Sequence, residues 1–477
     1  MIKKFRKGVF TISIHAIVIL IYAFCMILLA LYYNKREVSS GDDFIIAGHR
    51  LPLIVVIGTL TASWVGSGSL VGGASFVYQY GPLAAIFYFL GAPLGIIVMY
   101  FIAARTRALA KRTVPEMLEV RFGKYTRLFS TIFILLTYLS VLSYQFISGG
   151  YVLNITTGLP ESIGSLLTVL FVIVLAATGG LFSVSYTDMF SALLIIVGFI
   201  LAVPLILVEV DGISNLVSNL PEAKFTFSGG LTPLQLVGYF LPLFVYIIGD
   251  QSMLQRFSAS KTEQGASRST IGFFIGVVTV YSLITFFVTA SIVLLPDIKP
   301  DTALIELANQ SLPIPIGALI LAAFTALLIT TANSFLLSMS GNIVYDLYGQ
   351  FKGKLPENKY LKFNRISVII IGIIAYLIGT FFTSVLKLSI FAYTMYGAAV
   401  TPVILAGFFW KRATSQGALA SIIIGGGSTI LIEMIGNPIG GNTILLSLPL
   451  SVIALVGVSL LTKDNSIPLS TNSSINQ

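Results

Sequence analysis

Charge is scarce in this chain: only 10% of its 477 residues are Asp, Glu, Lys or Arg. A soluble domain carries about 25%, and 56% of these residues are hydrophobic. No hydrophilic run is long enough to fold as a separate soluble domain; the longest polar pieces, near 210–232 and 346–365, are loop-sized. Cysteine is represented once, by Cys25, which excludes an internal disulfide. The two histidines, His15 and His49, stand alone, so a metal-ligand cluster is not expected. Acids are scattered singly rather than grouped, which argues against an enzyme active site. No cleavable leader is expected, because the apolar run after Lys7 is too long and no small-residue cleavage site follows. A net charge of +9 is spread over the loops and reads as topology signal rather than nucleic-acid binding.

What the chain has in quantity is long apolar runs. A hydrocarbon core of about 30 Å needs about 20 apolar residues per helix. Thirteen segments qualify: 9–32, 51–78, 82–104, 128–153, 160–180, 187–209, 234–256, 270–295, 314–345, 365–385, 388–410, 415–436 and 443–462. The expected fold class is therefore an all-α, multi-pass plasma-membrane protein. The basic stretch 105–127, with Arg105, Arg107, Lys111, Arg112, Arg121, Lys124 and Arg127, is expected to face the cytoplasm. Alternation then places 33–50, 256–268, 352–365 and Lys411–Arg412 on the same side, with 210–232 and 296–313 outside. An odd number of spans puts the N-terminus outside and the C-terminus in the cytoplasm. The basic tail Lys3, Lys4, Arg6 and Lys7 opposes that placement, and the four downstream loops outvote it.

Two spans are interrupted. The first contains Thr61-Ala-Ser-Trp-Val-Gly-Ser-Gly-Ser-Leu-Val-Gly-Gly73, with Gly66, Ser67, Gly68, Ser69 and Gly72 at mid-depth. Small, helix-weakening residues suit a helix broken to free carbonyls for an ion and N–H groups for a solute. Close packing of a Gly68/Gly72 small-xxx-small pair is the plainer account. The second, 234–256, carries Pro242, Gly249, Asp250 and Gln251. The two lie five spans apart, which is the pattern of an inverted-repeat transporter. The expected organisation is an N-terminal helix and loop (1–50), repeats at 51–209 and 234–410, and two C-terminal helices with a short tail (411–477).

Polar residues inside the spans supply the candidate site. Thr330, Thr331 and Ser334 share a helical face, and hydroxyl oxygens suit a small hard cation; alternatively they bond their own i−4 carbonyls. Asp188 is either an intramembrane functional carboxylate or a helix N-cap at the cytoplasmic interface. Glu433 reads as interfacial. Candidates to line a solute site are Ser63, Trp64, Ser67, Tyr138, Tyr144, Gln145, Tyr246, Gln251, Tyr393 and Tyr396. Lys387 is the one base placed deep in a span.

Four motifs in order resemble the sodium:solute symporter family of proline, glucose, pantothenate, iodide and monocarboxylate carriers. They are Asp43-Phe-Ile-Ile-Ala-Gly-His-Arg-Leu-Pro52, Thr178-Gly-Gly-Leu-Phe-Ser-Val-Ser-Tyr-Thr-Asp188, Asp250-Gln with Gln255-Arg256 and Ser258-Ala-Ser-Lys261, and Phe409-Trp-Lys-Arg-Ala-Thr-Ser-Gln-Gly-Ala418. The resemblance implies a leucine-transporter-type fold with thirteen helices, and sodium-coupled symport of a small organic solute by alternating access. Sodium is the implied ion, held by carbonyls of Ala62, Val65 and Leu327 and hydroxyls of Thr330 and Thr331. A second cation position falls on Asp188, Thr330, Asn333 and Ser334, where Asn333 offers an amide oxygen in place of a hydroxyl. The proline carriers have an aspartate near Trp64 and Gly-Gln-Pro-His at Gly249–Ser252, so the sequence argues against proline. Tyr246 falls where sugar carriers keep a gating tyrosine, with different neighbours. The rival expectation is the same fold coupled to protons through Asp188 or Asp250, or uncoupled.

Overall fold

The structure, a computed structural model, describes residues 13–37, 41–178, 180–353, 356–382, 384–437 and 442–463. The basic tail at 3–7 and Gly179 of the second motif lie outside the described residues. All regular structure among the described residues is helical apart from one isolated bridge. In chain order the principal helices are α1 (Ile14–Glu37), α2a (Leu53–Trp64) with α2b (Gly68–Tyr80), α3 (Pro82–Leu109), α4 (Val114–Thr157), α5 (Glu161–Thr178) and α6 (Leu181–Glu209). They continue with α7a (Pro233–Gly249), α7b (Gln251–Ala259), α8 (Glu263–Leu294), α9 (Ile314–Gly341), α10 (Glu357–Gly379), α11a (Val385–Ala399), α11b (Thr401–Phe409), α12 (Ser415–Met434) and α13 (Ile444–Leu461).

Every segment read as a span is largely helical over its described residues. Ten helices among the described residues are long and apolar enough to cross a bilayer, and the bent α2a–α2b pair brings the number to eleven. The stretches Ile14–Leu29 and Glu161–Ala177 are apolar but shorter. The bundle has an apolar outer surface, with Phe101, Leu193, Ile275 and Ile453 exposed, and polar residues such as Thr59, Asp188, Gln251, Arg256 and Asn342 are buried within its apolar core. That arrangement suits lipid as solvent, because polar groups must find partners within the protein.

Three boundaries differ from the sequence expectation. The basic stretch 105–127 is largely helix: α3 runs to Leu109 and α4 starts at Val114, capped by Thr113. α4 then turns at Gly123, whose φ of 81° only glycine adopts freely. α7 passes through Pro242 without interruption and breaks at Asp250, eight residues later. The aspartate itself supplies the cap that starts the new helix, accepting from the Ser252 N–H. A third feature, unforeseen, is a one-residue pause at Val400 between α11a and α11b, where the backbone stays in the right-handed region at φ −106° and ψ −41°. Pro402 has no N–H to donate to the carbonyl four residues earlier.

The basic segments gather at one end of the bundle. Arg107 Nε donates to Ser260 O, Gln255 Nε2 to Arg112 O, Arg127 Nε to Asp346 Oδ1 at 2.8 Å, and Arg121 caps the end of α11b through the carbonyls of Ala406, Gly407 and Trp410. At the same end Leu51 makes a backbone bridge: its N–H donates to Ala259 O and its carbonyl accepts from Lys261 N, both at 3.0 Å. The lead-in to α2a is thereby fastened to the tail of α7b.

Candidate functional site

The first break follows from residues that cannot hold a helix together. Val65 leaves helical geometry at ψ 63°, and α2b departs at 52° from α2a. Ser67 at the start of α2b turns to the side: its N–H and Oγ both donate to Gln145 Oε1 of α4, at 3.0 and 2.5 Å. The glycines are required by space. A Cβ on Gly66 would lie 2.7 Å from Thr331 Oγ1, and one on Gly68 would lie 1.9 Å from Tyr393 Oη. Gly72 faces Ser389 and Leu386 of α11a. The stretch is both broken and closely packed, its small residues letting α11a approach.

One expected outcome follows. Gly66→Ala must displace Thr331 or Gln145, and overpacking of this kind costs about 1–3 kcal/mol. The variant is expected to lose thermal stability in sodium and in potassium alike, and to lose most of any difference between the two. An unchanged difference would show that the contact with Thr331 is unimportant.

The hydroxyls of α9 behave in two ways. Ser334 Oγ donates to Thr330 O at 2.9 Å and Thr330 Oγ1 to Leu327 O at 3.3 Å, within their own helix. Thr331 Oγ1 instead crosses to Ala62 O at 3.1 Å, at the unwound end of α2a. Ala62, Thr330, Thr331 and Leu327 are thus brought to one spot beside Val65, all buried. The donors there are neutral oxygens, the set that suits a small hard monovalent cation.

Directly beneath lies a buried ion pair. Asp188 sits two turns inside α6, because that helix begins at Leu181, so it is not an N-cap. Its Oδ2 accepts from Thr59 Oγ1 at 2.6 Å, Ser63 Oγ at 3.1 Å and Arg256 Nη2 at 3.3 Å. Arg256 also donates to Ser334 Oγ at 2.6 Å, Thr59 Oγ1 at 2.8 Å and Ser252 O at 2.7 Å. Both side chains are fully buried. The sequence places this base in a motif at the edge of a cytoplasmic loop rather than in the core, while Lys387, placed deep in a span, is exposed. Asn333 Oδ1 is buried without a hydrogen-bond partner.

Rings fill the space between the two breaks. Trp64, at the end of α2a, lies 5.7 Å from Tyr246 of α7a and 6.3 Å from Tyr393 of α11a, centroid to centroid; Tyr246 and Tyr393 stack at 4.6 Å. Trp64 Nε1 donates to Tyr281 Oη at 2.6 Å, and Tyr144 Oη donates to Tyr393 Oη at 3.4 Å. At the second break Tyr396 Oη donates to Gly249 O at 2.7 Å and accepts from Gln251 N at 3.1 Å, so one hydroxyl bridges both ends. Tyr138 Oη donates to Asp250 Oδ1 and accepts from Ser252 N.

Of the residues expected to line a solute site, Trp64, Tyr144, Tyr246, Tyr393 and Tyr396 come together. Ser67 and Gln145 adjoin them but satisfy each other. Ser63 points to Asp188. The Gln251 side chain turns the other way, bonded to Asn342 Oδ1 at 2.5 Å and Val114 N at 3.1 Å. Glu433 is half-buried, receiving Thr443 Oγ1 and Asn437 Nδ2. Tyr281 was not singled out from the sequence; nothing in its apolar run distinguishes it.

A membrane-embedded bundle with helices broken at mid-depth, oxygen donors at one break and a ring-lined centre is the architecture of a solute transporter, not of an enzyme. The chain belongs to the sodium:solute symporter family, whose model matches residues 44–425. It is 26% identical over 433 residues to sodium/proline symporter 2 of Staphylococcus saprophyticus, covering 86% of this chain and 84% of that protein. It is 26% identical over 422 residues to the high-affinity proline transporter PutP of Bacillus subtilis, covering 84% and 88%. A solved structure of a Na+-coupled sialic acid symporter, substrate-bound and outward-open, superposes with a TM-score of 0.81 at 22% identity, covering 95% of this chain and 99% of that one. This likeness establishes the shared fold.

Proposed function

We propose that the chain imports a small organic solute across the plasma membrane by symport with sodium. The observation that carries the reading is the Thr331 hydroxyl on the Ala62 carbonyl. It joins α9 to the unwound end of α2a at an oxygen-rich spot, and the relatives' sodium coupling supports the same assignment. Sodium would be held by carbonyls of Ala62, Val65 and Leu327 with hydroxyls of Thr330 and Thr331. A bound ion ties the broken helix to α9, which orders Trp64 and the rest of the ring cluster. Sodium and solute then favour each other's binding reciprocally. Asp188 and Ser334 are held by Arg256, so a tethered cation already serves the second position and one sodium carries the coupling. Thirteen helices cross the membrane in this reading, α1 and α5 included. The basic end is cytoplasmic, and the residue ranges 51–209 and 234–410 form two inverted repeats.

The test is uptake by protein reconstituted in liposomes, with an inward sodium gradient compared with an inward potassium gradient at one fixed pH. Accumulation only with sodium is expected. Accumulation that follows a proton gradient and ignores sodium would overturn the assignment and turn attention to Asp250.

A further inference from the structure

Asp250 is a buried carboxylate that the sodium mechanism does not use. It is fully buried, and no cation lies within ion-pair distance among the described residues. The nearest buried guanidinium, Arg256, is committed to Asp188. Its hydrogen bonds come from Tyr138 Oη, Ser252 N and Ser252 Oγ. Two rings link it to the central cluster: Tyr138 stacks on Tyr396 at 6.0 Å, and Tyr396 meets Tyr246 edge-on at 5.4 Å.

The cluster itself consists of electron-rich faces. Trp64, Tyr246 and Tyr393 lie within 4.6 to 6.3 Å of one another. A cation over such a face is attracted at about 6 Å from the ring centroid. No lysine or arginine among the described residues stacks on any of the three, although eight such contacts are made elsewhere in the chain. One amide at the first break, Ser67 N–H, is closed by Gln145 Oε1, which also takes the Ser67 hydroxyl. A carboxylate-bearing solute using that amide would have to displace Gln145, and it would approach Asp250 with like charge. A sugar would bring no positive charge to the carboxylate.

We propose that the transported solute is a small organic cation lacking a carboxylate, its ammonium group lodged among Trp64, Tyr246 and Tyr393 with Asp250 as the counter-charge. This rests on the transport reading above and specifies its substrate class. Admission of the solute requires the rings to part, which makes the cluster both the recognition surface and the closure over it.

The test is thermal stability and calorimetric binding of the full-length protein, in sodium and in potassium. The probes are choline, tetramethylammonium and ethanolamine, with dimethylbutanol (the uncharged carbon isostere of choline), betaine, proline, glucose and lactate. At least one of the three cations is expected to bind in sodium. Binding of choline is expected to exceed that of dimethylbutanol by roughly thirtyfold, the scale of a desolvated cation–ring contact, and to exceed betaine by a similar factor. Asp250→Asn keeps the helix cap, since asparagine caps as well as aspartate; it is expected to weaken cation binding at least tenfold while preserving stability in sodium alone. Trp64→Leu is expected to act in the same direction. Equal binding of choline and dimethylbutanol, or no binding of any of the three cations, overturns the inference. Sodium-dependent binding of proline, glucose or lactate instead would overturn it while leaving symport intact. Cation binding indifferent to sodium would keep the substrate class and overturn the coupling.

Discussion

Arg256→Met is expected to lower stability by about 3–5 kcal/mol, the cost of stripping a buried ion pair of one member. The guanidinium holds Asp188, Thr59, Ser334 and the Ser252 carbonyl, drawn from α6, α2a, α9 and α7b. Methionine fills much of the volume but leaves the Asp188 carboxylate buried without its counter-charge. The double variant Arg256→Met with Asp188→Asn removes both charges and is expected to recover a large part of the loss. Thermal midpoints of the wild type, two single variants and the double variant give the coupling between the two sites. A double variant no more stable than Arg256→Met would mean that the damage lies in the four-helix junction and not in the pair.

Thr331→Ala carries the second large effect. Its hydroxyl is the one α9 oxygen that reaches across to Ala62, whereas Thr330 and Ser334 bond within their own helix. Loss of a dipole facing a charge is worth about 1.5–3 kcal/mol, so the sodium concentration for half-maximal stabilisation is expected to rise roughly ten- to hundredfold. Thr331→Ser keeps the oxygen and is expected to stay within a few-fold of wild type. The measurement is a sodium titration of thermal stability at constant ionic strength. An unchanged midpoint in Thr331→Ala would place the ion elsewhere, with the unpartnered Asn333 amide oxygen the next position to examine.

Sequence and structure agree where the signal is local. The break at Val65–Ser67 was written in five small residues inside an apolar run, Gly66, Ser67, Gly68, Ser69 and Gly72. The second break was legible as an event, with Pro242, Gly249 and Asp250 all named, and the structure puts it at Asp250. Pro242 is the stronger helix breaker, yet a side-chain cap was available only at Asp250. The pause at Val400 had its cue in Pro402, which was passed over because the run around it is uniformly apolar. Arg256 was invisible as a buried residue because its partners, Thr59, Asp188 and Ser334, are 197, 68 and 78 residues away. The role of Tyr281 depends on the Trp64 indole, which no pattern within α8 reveals. Gln251 and Ser63, read as lining a solute site, turn to Asn342 and to Asp188, because sequence cannot say which way a side chain turns.

The backbone bridge at Leu51 gives the two broken helices a common foot. Any tilt that lifts the start of α2a drags the end of α7b with it, since separating them means rupturing two backbone hydrogen bonds, with Arg107 and His49 gripping the same strand of chain through Ser260 and Ser258. In the proposed mechanism α2a leads into the ion's carbonyls and carries the tryptophan, while α7b is capped by the counter-charge and ends at the foot. A release step that let go of one cargo and kept the other would need the pair of helices to walk separately, and they are hobbled together.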